Sequence, residues 1–365
     1  MLLEISRAIR YNGGLLKSQV AFNTDPTNQQ DLEICVCINL EAPSLGGREL
    51  LFQVGPRSLW LAKAYAQAAR GRGHASSFFQ VFSSSLIRNS SISPNFPQLF
   101  FALKASQGSM QRQGEILLRL LEALDAAVGR EEKDDESIFF DVLGSSVIVY
   151  GMNSTSFWLH TMIAEILVFI AMFIERPGIF NLLVMLASLL VAAAGGSFSM
   201  FMPFPNNPFV VAGLVVAPAV AAWSLFYWKF LLAFTPRSLF IHGRVFFGFL
   251  MTILTLSRSP ASYLPMLWVV FPCAYSILDW LVPGSFAPAV ALGYTIPVAC
   301  TLQVAVSMLE IPNLGGEWLG AAVGLMVGVV LLGSVDLLRL SNFRKIGKLA
   351  FVFFLATLLF EIGFK

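Results

Sequence analysis

Charge is scarce in this sequence. Of its 365 residues only 13 % are Asp, Glu, Lys or Arg, against about 25 % in an ordinary soluble domain, so much of the surface must face lipid rather than water. The charge that is present gathers at one end: residues 1–156 hold 14 Lys+Arg and 15 Asp+Glu, and the longer stretch 157–365 holds 10 and 7. A formal net charge of +2, with no basic run outside the loops between apolar segments, excludes nucleic acid as a partner. There are only three histidines, and no HExxH, Gly-x-Ser-x-Gly or phosphate-cradling glycine loop occurs. Serine-elbow hydrolysis and P-loop ATPase chemistry therefore have no support. Four cysteines make no disulfide framework; Cys273 and Cys300 sit in apolar runs as small hydrophobes, and Cys35 and Cys37 alternate as in a strand without the spacing of a redox or zinc motif. Charge mixed into residues 1–7 also leaves no apolar core for a signal peptide there.

What is abundant is apolar length. A bilayer core about 30 Å thick takes roughly 20 apolar residues per helical crossing, and such windows fill the second part at 157–174, 179–196, 208–233, 239–256, 262–282, 286–309, 318–338 and 346–363. Between them fall Arg176-Pro177-Gly178, Thr235-Pro236-Arg237, Arg258-Ser259-Pro260 and Pro283-Gly284, residues that end helices. Trp158, Trp228, Trp280 and Trp318 lie near the expected ends, where an indole sits well at the headgroup level. With the first part outside the cytoplasm, the cytoplasmic loops carry Arg176, Lys229, Arg237, Arg339, Arg344, Lys345 and Lys348, and the other side only Arg258 and Lys365. The bias places residues 1–156 in a lumen or outside the cell. Two Asn-x-Ser/Thr sequons there, at Asn89 and Asn153, are candidate glycosylation sites.

Within the first part, 34–40 and 50–54 are short branched apolar runs that read as strands, and 58–70 and 107–128 repeat apolar residues at helical spacing. In the second helix Ile116, Leu117, Leu120, Leu121, Leu124 and Val128 form the apolar stripe. Residues 1–9 also read as helical, 131–136 as an acidic linker and 139–150 as an apolar run before the first membrane helix. The domains expected are 1–130, an α/β luminal domain; 131–156, an acidic linker and juxtamembrane segment; and 157–365, a multi-pass helical domain. A catalytic zinc needs three protein ligands and a carboxylate base. The first part has one histidine, His74, which reads as a surface loop residue after a Gly-rich helix end, and one acid, Glu41, at the end of a strand where active-site acids are often found.

Particular words in the sequence carry a resemblance. Ile38-Asn39-Leu40-Glu41-Ala42, Gly46-Gly47-Arg48-Glu49-Leu50, Phe52-Gln53, Gly55-Pro56 and Trp60-Leu61, then Ser109-Met110-Gln111-Arg112, then Phe139-Phe140-Asp141-Val142-Leu143-Gly144 resemble, in order, the endoplasmic reticulum metallopeptidase 1 family. These are membrane-anchored relatives of two-zinc exopeptidases. The resemblance implies a membrane protein of the endoplasmic reticulum, with a partial α/β zinc-exopeptidase-like luminal domain followed by a bundle of about eight transmembrane helices. It also implies zinc as the family's cofactor, with Glu41 matching the position of an acidic zinc ligand. The family's His-x-Asp segment would precede Met1, its Glu-Glu pair would fall within 11–36, and its last histidine within 92–107; this chain has neither the pair nor that histidine there. The expectation is therefore a chain without a complete peptidase site, not binding zinc, either a truncated or divergent member of the family. A non-enzymatic membrane interaction subunit is the alternative, and a transporter a more distant one. The partners expected are the lipid bilayer and luminal peptides or membrane proteins.

In the membrane part Glu165, His242, Arg244, Asp279 and Asp336 are ionisable groups in or near apolar windows, functional candidates by default. Asp279, Asp336 and Arg244 read as reaching the interface from window ends, whereas Glu165 stands mid-window. Gly324-x-x-x-Gly328 has the spacing of a close helix contact.

Overall fold

The structure, a computed structural model, describes residues 5–12, 15–22, 37–44, 50–55, 59–69, 73–82, 98–104, 107–127, 135–142, 144–175, 178–197, 210, 212–231, 234–281, 286–310, 316–334 and 343–363. They divide into two compact units, one of residues 1–160 and 254–261 and one of 161–253 and 262–365.

The first unit is built on a six-stranded sheet. β1 (Ile5–Asn12) and β2 (Leu15–Phe22) form an antiparallel hairpin whose register pairs Asn12 with Leu15. The two residues between them in the sequence are Gly13 and Gly14, a pair that suits tight hairpin loops. This corrects the helical reading of residues 1–9 over 5–9, which lie in β1: so short a segment fits both periods, and pairing with the adjacent strand β2 decides between them. β3 (Cys37–Ser44), β4 (Leu50–Val54), β5 (His74–Ala75) and β6 (Gln98–Lys104) complete the sheet in the order β1-β2-β3-β6-β4-β5. β3 runs parallel to β6, which needs a crossover, and α1 (Leu59–Ala68) lies in that connection. α2 (Gln107–Ala127) follows β6.

The core of this unit joins Leu51 and Val54 of β4, Leu61, Ala62, Tyr65 and Ala68 of α1, and Ile116, Leu120 and Leu124 of α2. The predicted stripe of α2 is the buried one, and Leu118, between its rows, is 64 % exposed. Residues 137–151, assigned from sequence to the linker and juxtamembrane segment, instead form a hairpin of β7 (Ser137–Val142) and β8 (Ser146–Gly151). Gly144 adopts φ 68° in its loop, a left-handed conformation that favours glycine. Phe139, wholly buried, carries this hairpin into the same core.

A helix runs through each of the eight apolar windows: α3 (Thr155–Ile174), α4 (Ile179–Ser197), α5 (Ala217–Phe226), α6 (Pro236–Leu256), α7 (Tyr263–Leu281), α8 (Phe286–Glu310), α9 (Gly316–Gly333) and α10 (Phe343–Gly363). Among the described residues four stretches are long and apolar enough to cross a membrane: Thr155–Phe173, Ile179–Ser197, Ala212–Phe230 and Arg237–Leu256. α5 is flanked by π-helical turns at Ala212–Val216 and Tyr227–Leu231. The first adjoins Pro218, whose missing N–H unsettles the regular ladder.

In the second unit α4 and α9 approach backbone to backbone. A Cβ placed on Gly324 would lie 2.5 Å from the Ala192 carbonyl oxygen, and one on Gly328 2.8 Å from Ala192 Cβ. The Gly-x-x-x-Gly spacing thus makes the contact it suggested, because only a missing side chain lets two helices come this close.

Candidate functional site

Glu41, the acid singled out in the sequence, lies in β3 opposite Lys17 of β2 and Ala102 of β6, where the β3–β6 register shifts before Ser44. Its backbone therefore lies inside a central strand, three residues before that strand ends at Ser44. The best-defined polar cluster of this unit is elsewhere. His74, read from the sequence as a surface loop residue, starts β5 and is mostly buried: its Nδ1 stands 3.3 Å from Asp141 Oδ2, with side-chain exposures of 13 % and 0 %. Asp141 Oδ1 accepts the Ala75 N–H at 2.8 Å and Oδ2 the Gly144 N–H at 2.6 Å. Tyr65 donates its hydroxyl to the His74 carbonyl at 3.0 Å. The carboxylate is thus occupied by main-chain donors, which anchor the β7–β8 loop to β5 and leave it ill placed to hold a metal.

Among the described residues no three His, Cys, Asp or Glu side chains gather as metal ligands. The cluster that does exist, one His against one Asp already bonded to two amides, does not fit a zinc centre, which needs three ligands with lone pairs free. No hydrolytic step is derived from it. Asn89 lies outside the described residues. Asn153 is exposed, and its backbone N–H and Nδ2 donate to Asp135 Oδ2 and Oδ1 at 2.9 and 2.8 Å.

The helical unit holds the other candidates. Arg244, expected to reach an interface, is instead wholly buried in α6. Its Nη1 donates to the Trp268 carbonyl of α7, and its Nη2 to the Gly333 carbonyl at the end of α9 and to Tyr294 Oη of α8 at 3.1 Å. The guanidinium also lies over the rings of Phe240 and Tyr294, 5.0 and 5.2 Å from their centroids. Both carbonyls lack the usual helical partner. Residue 272, four on from Trp268, is a proline inside α7 and has no N–H to offer, and Gly333 is the last residue of its helix. The arginine therefore satisfies oxygens that a proline and a helix end set free, which is how a kinked helix is tolerated away from water.

His242, two residues earlier, meets Ser238 Oγ at 3.1 Å through Nδ1, and the Ser238 hydroxyl donates to Glu175 at 2.6 Å. Glu165 is exposed, mid-way along α3, with Met162, Ile166 and Phe169 exposed around it, and has no hydrogen bond or ion pair among the described residues. Asp279 is placed in α7 by its backbone, and Asp336 lies outside the described residues. Cys273 and Cys300 are buried, the core role expected of them.

Comparison with known proteins bears on the whole chain. It is 25 % identical to an endoplasmic reticulum metallopeptidase 1 of Rattus norvegicus over 349 residues, taking in 76 % of this chain and 38 % of the rat protein. The Homo sapiens protein of the same name is 32 % identical over 138 residues, 31 % of this chain and 15 % of that one, and the Mus musculus protein 29 % over 165 residues, 38 % and 18 %. This chain is a relative of endoplasmic reticulum metallopeptidase 1. It spans well under half the length of the curated relatives it matches. No protein-family profile matches it, and no solved structure does. The resemblance seen in residues 38–61, 109–112 and 139–144 is thereby supported at the level of the family.

The sequence reading missed two features of this relative of the metallopeptidases. The His74–Asp141 pair joins residues 67 positions apart, and no local pattern announces it. The Arg244 cluster had a usable signal in the proline four residues after Trp268.

Proposed function

We propose that the chain is a multi-pass protein of the endoplasmic reticulum membrane in which residues 1–130 are a luminal, peptidase-like α/β domain that does not hydrolyse peptides by itself. The observation that carries this is the rat metallopeptidase match over 349 residues, set against a stretch in which Glu41 alone matches a ligand position. The family's zinc would need further ligands and a base, and losing a positioned base costs about 10²–10⁴-fold in rate. Membrane insertion is supported by the four long apolar helices, and luminal orientation by the loop charges. Asn89 and Asn153 are then glycan acceptors. The test is elemental analysis of the purified chain together with dipeptide hydrolysis. Substoichiometric zinc and no chelator-sensitive cleavage are expected; one bound zinc per chain with such cleavage would refute the proposal.

A second reading, a non-enzymatic interaction subunit, is favoured by Glu165 on the exposed apolar face of α3. A carboxylate facing hydrocarbon is costly, about 2.5–3.5 kcal/mol on insertion scales, and a donor on a neighbouring helix would relieve it. Stable co-purification with a membrane partner, lost in Glu165→Leu, separates this reading from the first.

A further inference from the structure

The end of α6 is built unusually. Ser259 N–H donates to the Leu254 carbonyl at 2.8 Å and Arg258 N–H to the Thr255 carbonyl at 3.0 Å, the paired bonds of a Schellman helix end. In that motif the residue at the position of Arg258 turns left-handed and is most often glycine. Here it is an arginine at φ 51°, and among the described residues it is the one non-glycine with positive φ. A side chain that keeps such a position at a cost in backbone strain points to a use for it.

The use is visible beside it. Arg258 lines a cavity of about 220 Å³ with Met152, Asn153, Phe157, Trp158, Thr255 and Leu256. The cavity lies within the first compact unit, where α3 begins and α6 ends. Arg258 has no ion pair among the described residues, and the Thr255 hydroxyl oxygen is buried with no hydrogen-bond partner there. A helical threonine normally bonds back to its own preceding turn, so this hydroxyl is held for something else. Apart from Asn153 the rest of the wall is apolar, with Trp158 and Leu256 52 % and 79 % exposed beside it. Asp135 has both carboxylate oxygens engaged by Asn153. At this size the cavity takes a headgroup rather than a whole ligand of the usual 300–1,000 Å³ class.

We propose that this cavity binds a membrane phospholipid by its phosphodiester, with Arg258 pairing the phosphate, Thr255 donating its hydroxyl to a phosphate oxygen, and the glycerol and first acyl carbons lying against Phe157, Trp158 and Leu256. A cation, an orphan donor and an apolar wall match that chemistry in one place. The ends of two membrane-length helices, Thr155–Phe173 and Arg237–Leu256, put it at the depth where headgroups are. The proposal rests on those helices crossing a membrane.

The experiment uses the full chain purified in dodecyl maltoside and native mass spectrometry with added phosphatidylglycerol. Arg258→Gly is a favourable variant because glycine is what the helix end prefers, so its thermal unfolding should equal or exceed that of the parent; Arg258→Asn, which also tolerates the left-handed turn, serves if glycine does not fold. One phosphatidylglycerol per chain is expected, with binding at least five-fold weaker in either Arg258 variant and weakened also in Thr255→Val. Diacylglycerol, which lacks the phosphate, should not bind, and millimolar inorganic phosphate should not displace the lipid. Unchanged lipid binding in the Arg258 variants, equal binding of diacylglycerol, or displacement by inorganic phosphate would each overturn the proposal. Carbonate extraction of cell membranes tests the spanning helices separately: a chain that stays in the membrane but binds lipid without regard to Arg258 sinks this inference and leaves the membrane assignment standing.

Discussion

Among the described residues each unit buries a charge and satisfies it largely with main chain, in opposite senses. Asp141 in the α/β unit accepts N–H groups of Ala75 and Gly144, and Arg244 in the helical unit donates to carbonyls of Trp268 and Gly333. The difference follows from which backbone groups each architecture leaves unpaired. A short edge strand and a three-residue hairpin loop leave amide hydrogens over, so an acid fits. In a bundle of long helices the spare groups are carbonyls at helix ends and four residues before a proline, so a multidentate cation fits. Glu165, equally central in its apolar window, has neither kind of partner among the described residues and stays exposed. A buried charge here marks internal architecture, and an exposed one marks an outward-facing surface.

That contrast, and the packing around it, can be tested in five places. Arg244→Ala should have the largest effect, because it strands two buried carbonyls and removes the hydrogen bond to Tyr294 Oη; a loss of about 3–5 kcal/mol is expected for removing one side of a buried charged network. Unfolding in mild detergent would show it, and an unchanged midpoint would mean the cluster is not structural. Asp141→Asn comes next. An amide offers one acceptor where the carboxylate used two, costing about 2–3 kcal/mol, and hydrogen exchange at Ala75 and Gly144 should quicken selectively.

Gly324→Leu tests packing without charge. Its side chain would meet the Ala192 carbonyl at van der Waals overlap, and about 1–3 kcal/mol of overpacking should appear as lower thermal stability. Glu165→Gln should be nearly silent for the isolated chain, within about 0.5 kcal/mol; a larger drop would show that Glu165 has a partner within the fold. In the same vein, burial pushes the Tyr150 phenol above its ordinary value. Its contribution is present below the unfolded pKa, so stability should fall as pH rises through and beyond about 10. Tyr150→Phe should flatten that loss in an alkaline unfolding series.

Much of this fold was legible in advance because its signals are local. The helices of the second part follow runs of apolar residues with Pro, Gly and charge at their breaks, and α2 follows its 3.6-residue stripe. Strand β1 was not legible, since a segment as short as residues 1–9 fits two periods until its partner strand is known. The 137–151 hairpin was obscured for a similar reason: continuous apolar residues before a membrane helix look like an extension of it, whereas Phe139 belongs to the α1–α2 core. Glu41 was singled out by its wording and its place after an apolar run, and its backbone lies inside β3 rather than at its end. His74 was misread because a histidine beside glycines looks exposed until Asp141, far along the chain, packs over it.

By itself, then, the sequence determined a charge-poor helical part behind a charged α/β part, the approximate span of each membrane-length helix, and kinship with the endoplasmic reticulum metallopeptidases. Those properties depend on composition, periodicity and word order, which are all written along the chain. Only the tertiary structure decided which ionisable groups are enclosed, that Arg244 closes on the carbonyl freed by Pro272, and that Arg258 and Thr255 line one cavity. Burial and hydrogen-bond satisfaction depend on what other elements pack over a residue: Arg244 meets carbonyls of two other helices, and Arg258 and Thr255, near in sequence, share a cavity only with Met152, Phe157 and Trp158 beside them.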